Sequence, residues 1–254
     1  MLGKLMKYEL KSSGRLLMLL YAAILVVALI GGVMIRGSVV VGKELPLLIL
    51  FIIYLILVTA MMIITLVVIV GRFFKSLLSQ EGYLMHTLPV PTWNHVLCKT
   101  LTALIWIVLA AAVLFVSGAL FLVGAGATRD MFAALDLESI RNVLSQNGGI
   151  LILAIAVLIM QLVRIVLQAY VSMAVGATAN KHKIFFSFLA FVVIVIILNI
   201  ITALVAAGSM THNFSIFAFS GYRTLIYQLI FDGVLSVVFF GGTTLFLKKK
   251  LNLE

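Results

Sequence analysis

The chain has 254 residues, 64% hydrophobic and 10% charged, with a formal net charge of +10. No soluble fold has enough interior to hide that much apolar surface, so the composition excludes a soluble globular domain. The single cysteine, Cys98, excludes an internal disulfide framework.

The hydropathy lies in long apolar runs, without the apolar/polar alternation of barrel strands. A hydrocarbon core of roughly 30 Å takes about 20 helical residues to cross. Six runs meet that length: Leu16 to Ile35, Pro46 to Val70, Leu97 to Val123, Ile150 to Val175, Ile184 to Ala207 and Leu225 to Leu247. The expected fold is an all-α integral membrane protein with six transmembrane helices, forming a single transmembrane domain over residues 1–254.

Six spans put both termini on one side. With that side in the cytoplasm, the inner segments hold Lys4, Lys7, Lys11, Arg15, Arg72, Lys75, Lys99, Lys181, Lys183, Lys248, Lys249 and Lys250. The outer segments hold only Arg36, Lys43, Arg129, Arg141 and Arg223. The positive-inside rule therefore places both termini in the cytoplasm. The basic excess reflects orientation in a membrane and gives no support to a nucleic-acid partner.

Before the first span, residues 1–15 read MLGKLMKYELKSSGR. The apolar run that follows is too long for a signal-peptide core and no small-residue cleavage site stands out, so the segment is read as retained. Lys4, Lys7, Lys11 and Arg15 recur at helical spacing, opposite Leu2, Leu5, Met6 and Leu10. That pattern predicts an interfacial helix on the inner leaflet. Glu9 interrupts its apolar face, where a carboxylate is costly against lipid. It either meets protein or a cation there, or snorkels to water without a role.

Between spans two and three lies a polar hinge from Gly71 to Lys99, GRFFKSLLSQEGYLMHTLPVPTWNHVLCK. Ser79 or Gln80 can begin a short helix, Pro89 and Pro91 end it, and Tyr83 and Trp93 supply interfacial rings. Two readings of residues 79–93 stay open. One is a surface helix that displays Tyr83, Leu84, Met85 and Leu88 to a partner; the other is a loop resting on headgroups.

On the outer side, Asp130 can cap a helix through DMFAALDLESIRNVL. The segment GSMTHNFSIFAFSGYR before span six is aromatic and too short to cross, which fits a re-entrant or interface-lying element.

Polar groups inside the spans are few. Gln161, Arg164 and Gln168 in span four are spaced three and four apart and share one face. An intramembrane arginine costs about 2.5 kcal/mol or more, so that face should look into protein or water. Asn199 and Asp232 add polar groups in spans five and six, nearer the outer side. By helical rise Arg164 lies more than about 10 Å deeper than Asp232, so a direct pair needs helix tilt or an intervening group. These residues either join helices or contact a substrate directly.

Much chemistry is missing. No G-x-x-x-x-G-K-[ST] loop occurs, so the chain cannot hold nucleotide in that way. His86, His95, His182 and His212 all fall in expected loops, without H-E-x-x-H spacing. Asp232 is the only acid in a span, so no intramembrane carboxylate pair exists, and no Ser or Cys nucleophile has an intramembrane His beside it. An intramembrane enzyme has little support, which leaves transport or a membrane scaffold. The spans show neither the broken helices and repeated halves of secondary transporters nor a pore signature.

The stretches KYELKSSGRLLMLLY and SQEGYLMHTLPVPTWNHVLCKTL resemble the membrane subunits of ABC-2 type transporters from Gram-positive bacteria. In that family an amphipathic elbow helix precedes span one, and an E-G-Y-L…L-P…K segment lies between spans two and three. The resemblance covers the whole six-span layout and implies an ABC-2 type exporter fold. It implies that the hinge is a coupling helix docking on a separate ATP-binding subunit through Glu81, Gly82, Tyr83, Leu84, Leu88 and Pro89, with Lys99 beyond them. Lys4, Lys7, Glu9 and Lys11 then belong to the elbow. ATP and Mg are expected on the partner subunit, with no cofactor in this chain and no ATP hydrolysis by it. Two copies are expected to pair as a homodimer in the bacterial plasma membrane. Small two-subunit exporters of amphipathic peptides, such as the phenol-soluble modulin exporters, are the most similar in size and layout. The cargo so implied is a toxin- or antimicrobial-type amphipathic peptide or a similar amphiphile, with Gln161, Arg164, Gln168, Asn199 and Asp232 as path candidates. The other reading is a non-transporting scaffold or immunity protein that sequesters a peptide.

Overall fold

A computed structural model of the chain describes residues 2–40, 44–78, 91–124, 137–179, 182–211 and 221–250. Among them there is no strand. The elements are α1 (Leu2–Val40), α2 (Glu44–Phe73) with a π-helical turn at its end (Phe74–Leu78), α3 (Thr92–Gly124), α4 (Leu137–Gly176), α5 (Lys183–Thr211) and α6 (Gly221–Lys250). All six α-helices contain a stretch long and apolar enough to cross a membrane: Gly3–Met34, Leu48–Ser76, Thr92–Val123, Ser145–Gly176, Lys183–Leu204 and Tyr222–Lys248. The protein is a multi-pass membrane protein.

Two of the three prolines mark where described helices begin. Pro46 sits in the first turn of α2, where its missing N–H costs nothing. Pro91 directly precedes α3, and its carbonyl accepts from Asn94 N at 3.0 Å, closing the first turn. Pro89 lies outside the described residues.

Two boundaries differ from expectation. The expected elbow (1–15) and the first span run together as one helix, with no break at Arg15. Ser13 Oγ donates to the Glu9 carbonyl at 2.8 Å, so a polar group inside this helix is satisfied by the helix itself. Likewise α4 continues without interruption through Gly148 and Gly149 into its span. Each glycine costs about 1 kcal/mol relative to alanine, too little to end a 40-residue helix.

The chain divides into two compact units, Met1–Ile69 with Leu101–Val143, and Val70–Thr100 with Leu144–Glu254. In the first, α1, α2 and α3 meet around polar aromatics. The Tyr21 hydroxyl donates to the Trp106 carbonyl at 3.3 Å and shares a 3.2 Å hydrogen bond with Thr65 Oγ1. The Trp106 indole N–H donates to Ser13 Oγ at 3.0 Å. A buried hydroxyl or indole without a partner costs several kcal/mol in hydrocarbon, so these bonds fix which faces of the three helices meet. Farther along, Tyr54 stacks on Phe121 at 4.7 Å and bonds Ser117 Oγ at 3.0 Å. Gly31 lies against the Phe121 ring edge, where a Cβ would meet it at 3.2 Å.

In the second unit α4 is the centre. Between Val166 and Gly176 it is buried nearly all round, at Val166, Leu167, Gln168, Tyr170, Val171, Ser172, Met173, Ala174 and Gly176. α4 and α5 approach closely at Gly176 and Ser187: a Cβ on Gly176 would collide with the Ser187 backbone nitrogen. Only glycine permits this contact. The link between α4 and α5 is short, and His182, at a φ of 55°, turns the chain into α5.

Candidate functional site

The intramembrane polar residues of the second unit form a cluster on α4 and α6. Arg164 Nε approaches Asp232 Oδ1 at 2.6 Å, and Arg164 Nη1 donates to Gln168 Oε1 at 3.2 Å. Gln168 is one turn along α4 from Arg164, as the spacing required. The Asp232 side chain is 2% exposed and that of Arg164 17%. The Nε–H does not point along the line to the carboxylate, so this contact is a close ion pair without an aligned hydrogen bond, and Asp232 Oδ2 has no hydrogen-bond partner among the described residues. The cluster thus pairs its two charges while leaving one acceptor lobe of the acid unused.

The pair is direct, with no intervening group, where helical rise called for helix tilt or such a group. Met160 lies against Gly233, and Val171 against Gly242, so α4 and α6 run side by side in the same direction. In that register Asp232 stands level with the turn of α4 that precedes Arg164. Helical side chains lean toward the helix N-terminus, and the long arginine covers the remaining turn. Backbone depth alone had left out that reach.

The other path candidates are placed differently. Gln161 is half-buried, one turn before Arg164. Asn199 is exposed on α5 and its amide donates to the Val195 carbonyl of its own helix at 2.8 Å. That bond occupies one N–H of the amide within α5 itself, and the structure does not bring Asn199 into the cluster.

Glu81, Gly82, Tyr83, Leu84, Leu88 and Pro89 lie outside the described residues. The flanks of the hinge are described. The C-terminal flank is shorter than expected, because α3 already begins at Thr92 and takes in Trp93, His95 and Lys99. His95, expected in a loop, is therefore helical and 1% exposed, and Lys99 is buried as well. On the N-terminal flank α2 closes with the π-helical turn Phe74–Leu78, a feature that hydropathy does not register. In the elbow segment Lys4, Lys7 and Lys11 are exposed and Glu9 is half-buried.

One residue that sequence reasoning passed over joins the two flanks. Tyr170 of α4 stacks on Phe73 with ring centroids 3.9 Å apart and planes 11° from parallel. Its hydroxyl donates to the Lys99 carbonyl at 3.2 Å. Both rings are almost wholly buried. The signal was present: Tyr170 is the one aromatic between Ile150 and Val175, and a buried phenol needs a partner for its hydroxyl.

Among the described residues no three His, Cys, Asp or Glu side chains come together as metal ligands. At the α4–α5 link, Val175, Thr178, Phe186, Leu189, Ala190 and Val193 line an open apolar groove of about 370 Å³. Compared with known proteins, the chain matches no family model, no curated protein and no solved structure.

Proposed function

We propose that this chain is the membrane-spanning subunit of an ATP-driven exporter of the ABC-2 type, which moves an amphipathic peptide or similar amphiphile outward. The observation that carries the reading is the hinge sequence SQEGYLMHTLPVP between two apolar helices, in a chain without a nucleotide-binding loop of its own. Six apolar helices supply the membrane domain. In this reading Glu81, Gly82, Tyr83, Leu84, Leu88 and Pro89 dock on a separate ATP-binding subunit that carries ATP and Mg. The exposed Lys4, Lys7 and Lys11 hold the start of α1 at the inner leaflet. Two copies pair in a bacterial plasma membrane, with both termini cytoplasmic. ATP-driven closure of the partner subunits moves the hinge and shifts the helices against one another. Arg164, with Gln161 and Gln168 on the same face, offers the path a cation and two amides among apolar walls.

The test is co-purification with the ATP-binding subunit encoded beside this chain. Binding should be lost on Glu81→Ala or Tyr83→Ala, while the chain remains folded in detergent. Binding that persists when the whole hinge is replaced overturns the proposal. One observation favours a second reading, a scaffold or immunity protein that sequesters a peptide: the charge of Arg164 is already answered within the chain by Asp232. Reconstituted vesicles that bind peptide but show no ATP-dependent flux would select that reading.

A further inference from the structure

Among the described residues, one side chain of α4 touches both of the chain segments that flank residues 79–90. Phe73 lies six residues before Ser79, and its ring is covered by the Tyr170 ring at stacking distance. Lys99 lies on the other flank, and its carbonyl accepts the Tyr170 hydroxyl. That carbonyl is inside α3, where helical bonding uses one lone pair and leaves the second for Tyr170. Tyr170 and Phe73 are both among the largest fully buried side chains of the protein. Stacking and hydrogen bonding act through different atoms of one rigid ring, so the flanks cannot separate without breaking at least one of the two contacts.

The same helix carries the ion pair. Tyr170 is six residues beyond Arg164, about 9 Å along α4 and roughly a third of a turn around it. One side of α4 therefore bears the Phe73 and Lys99 contacts, and another bears the contacts to Asp232 of α6. The turn that joins Phe73 to the hinge is π-helical, a local irregularity that can take up or release a residue without breaking the helix.

We propose that Tyr170 is a positioning residue that clasps the two flanks of the hinge and passes their displacement along α4 to the Arg164–Asp232 pair. The transmission half rests on the reading of the hinge as an ATPase-docking lever; the clasp does not. The two halves are tested separately.

The first arm uses the full-length chain in lipid nanodiscs, with Cys98→Ser and nitroxide labels on Gly71→Cys and Trp93→Cys. Gly71 has open space for a side chain and Trp93 is half exposed, so both accept a label. In the Tyr170 background, pulsed electron resonance should read one narrow distance distribution. Tyr170→Phe, which removes only the hydroxyl, should widen it, and Phe73→Leu, which removes only the stack, should widen it too. Both variants keep a large apolar side chain, so the test does not depend on the riskier Tyr170→Ala. Distributions in both variants that coincide with the background overturn the clasp.

The second arm uses the complex with the ATP-binding subunit. Tyr170→Phe should still co-purify with that subunit, while ATP turnover loses its response to an added amphipathic peptide. An unchanged peptide response overturns the transmission. Failure of the ATP-binding subunit to bind even the unmodified chain overturns both the transmission and the proposed function, and the distance measurement still decides the clasp.

Discussion

Arg164 alone at mid-membrane would cost about 2.5–3.5 kcal/mol on insertion scales. The protein reduces that cost by placing Asp232 at 2.6 Å and the Gln168 carbonyl oxygen at 3.2 Å. Removing one partner strands the other, so Asp232→Ala should destabilise the chain by about 3–5 kcal/mol in detergent unfolding. Replacing both, Arg164→Met with Asp232→Leu, removes the desolvation cost together with the attraction and should recover most of that loss. If the double variant folds like the parent yet fails to transport, the pair serves the path; full transport assigns it to helix attachment alone. The face of Gln161, Arg164 and Gln168 was legible from spacing, because helical periodicity acts on every side chain alike. The partner was not, because hydropathy places backbones and the contact depends on the reach and lean of an arginine. Asn199 shows the converse: its position in a span was legible, but its bond back to Val195 was not.

At the scale of the helix, the approach of α4 and α5 at Gly176 and Ser187 is the tightest at any described glycine. Gly176→Val should push the two helices apart and lower the thermal unfolding temperature. Gly241→Ala, in a helix with open space around the added Cβ, should be neutral or stabilise by up to about 1 kcal/mol. Equal loss in both variants would mean that backbone approach at Gly176 is not what holds the hairpin. The six helices were legible because apolar length is written directly into composition. Their ends were less so: α4 runs on past Gly148 and Gly149, and α3 starts at Thr92, because backbone hydrogen bonding continues where the apolar residues stop. The π-helical turn at Phe74–Leu78 left no mark in the pattern of residues.

For the whole molecule, exposed apolar side chains such as Phe115, Ile152, Phe188, Leu204 and Val237 are what a lipid-facing surface requires. The distribution of Lys and Arg predicts the sides. Single cysteines in a Cys98→Ser chain should react with a membrane-impermeant reagent on intact cells at Arg141 and Arg223, and not at Lys183 or Lys248. The reverse pattern would put the hinge outside, beyond the reach of any cytoplasmic ATPase. The two indoles, finally, divide the molecule spectroscopically. Trp106 is 3% exposed and hydrogen-bonded to Ser13 in the first unit, whereas Trp93 is 49% exposed at the start of α3, two residues past Pro91. With Trp93→Phe, intrinsic fluorescence follows melting of the α1–α3 core. With Trp106→Phe, emission and aqueous quenching follow events at the hinge, so the chain carries its own pair of optical probes.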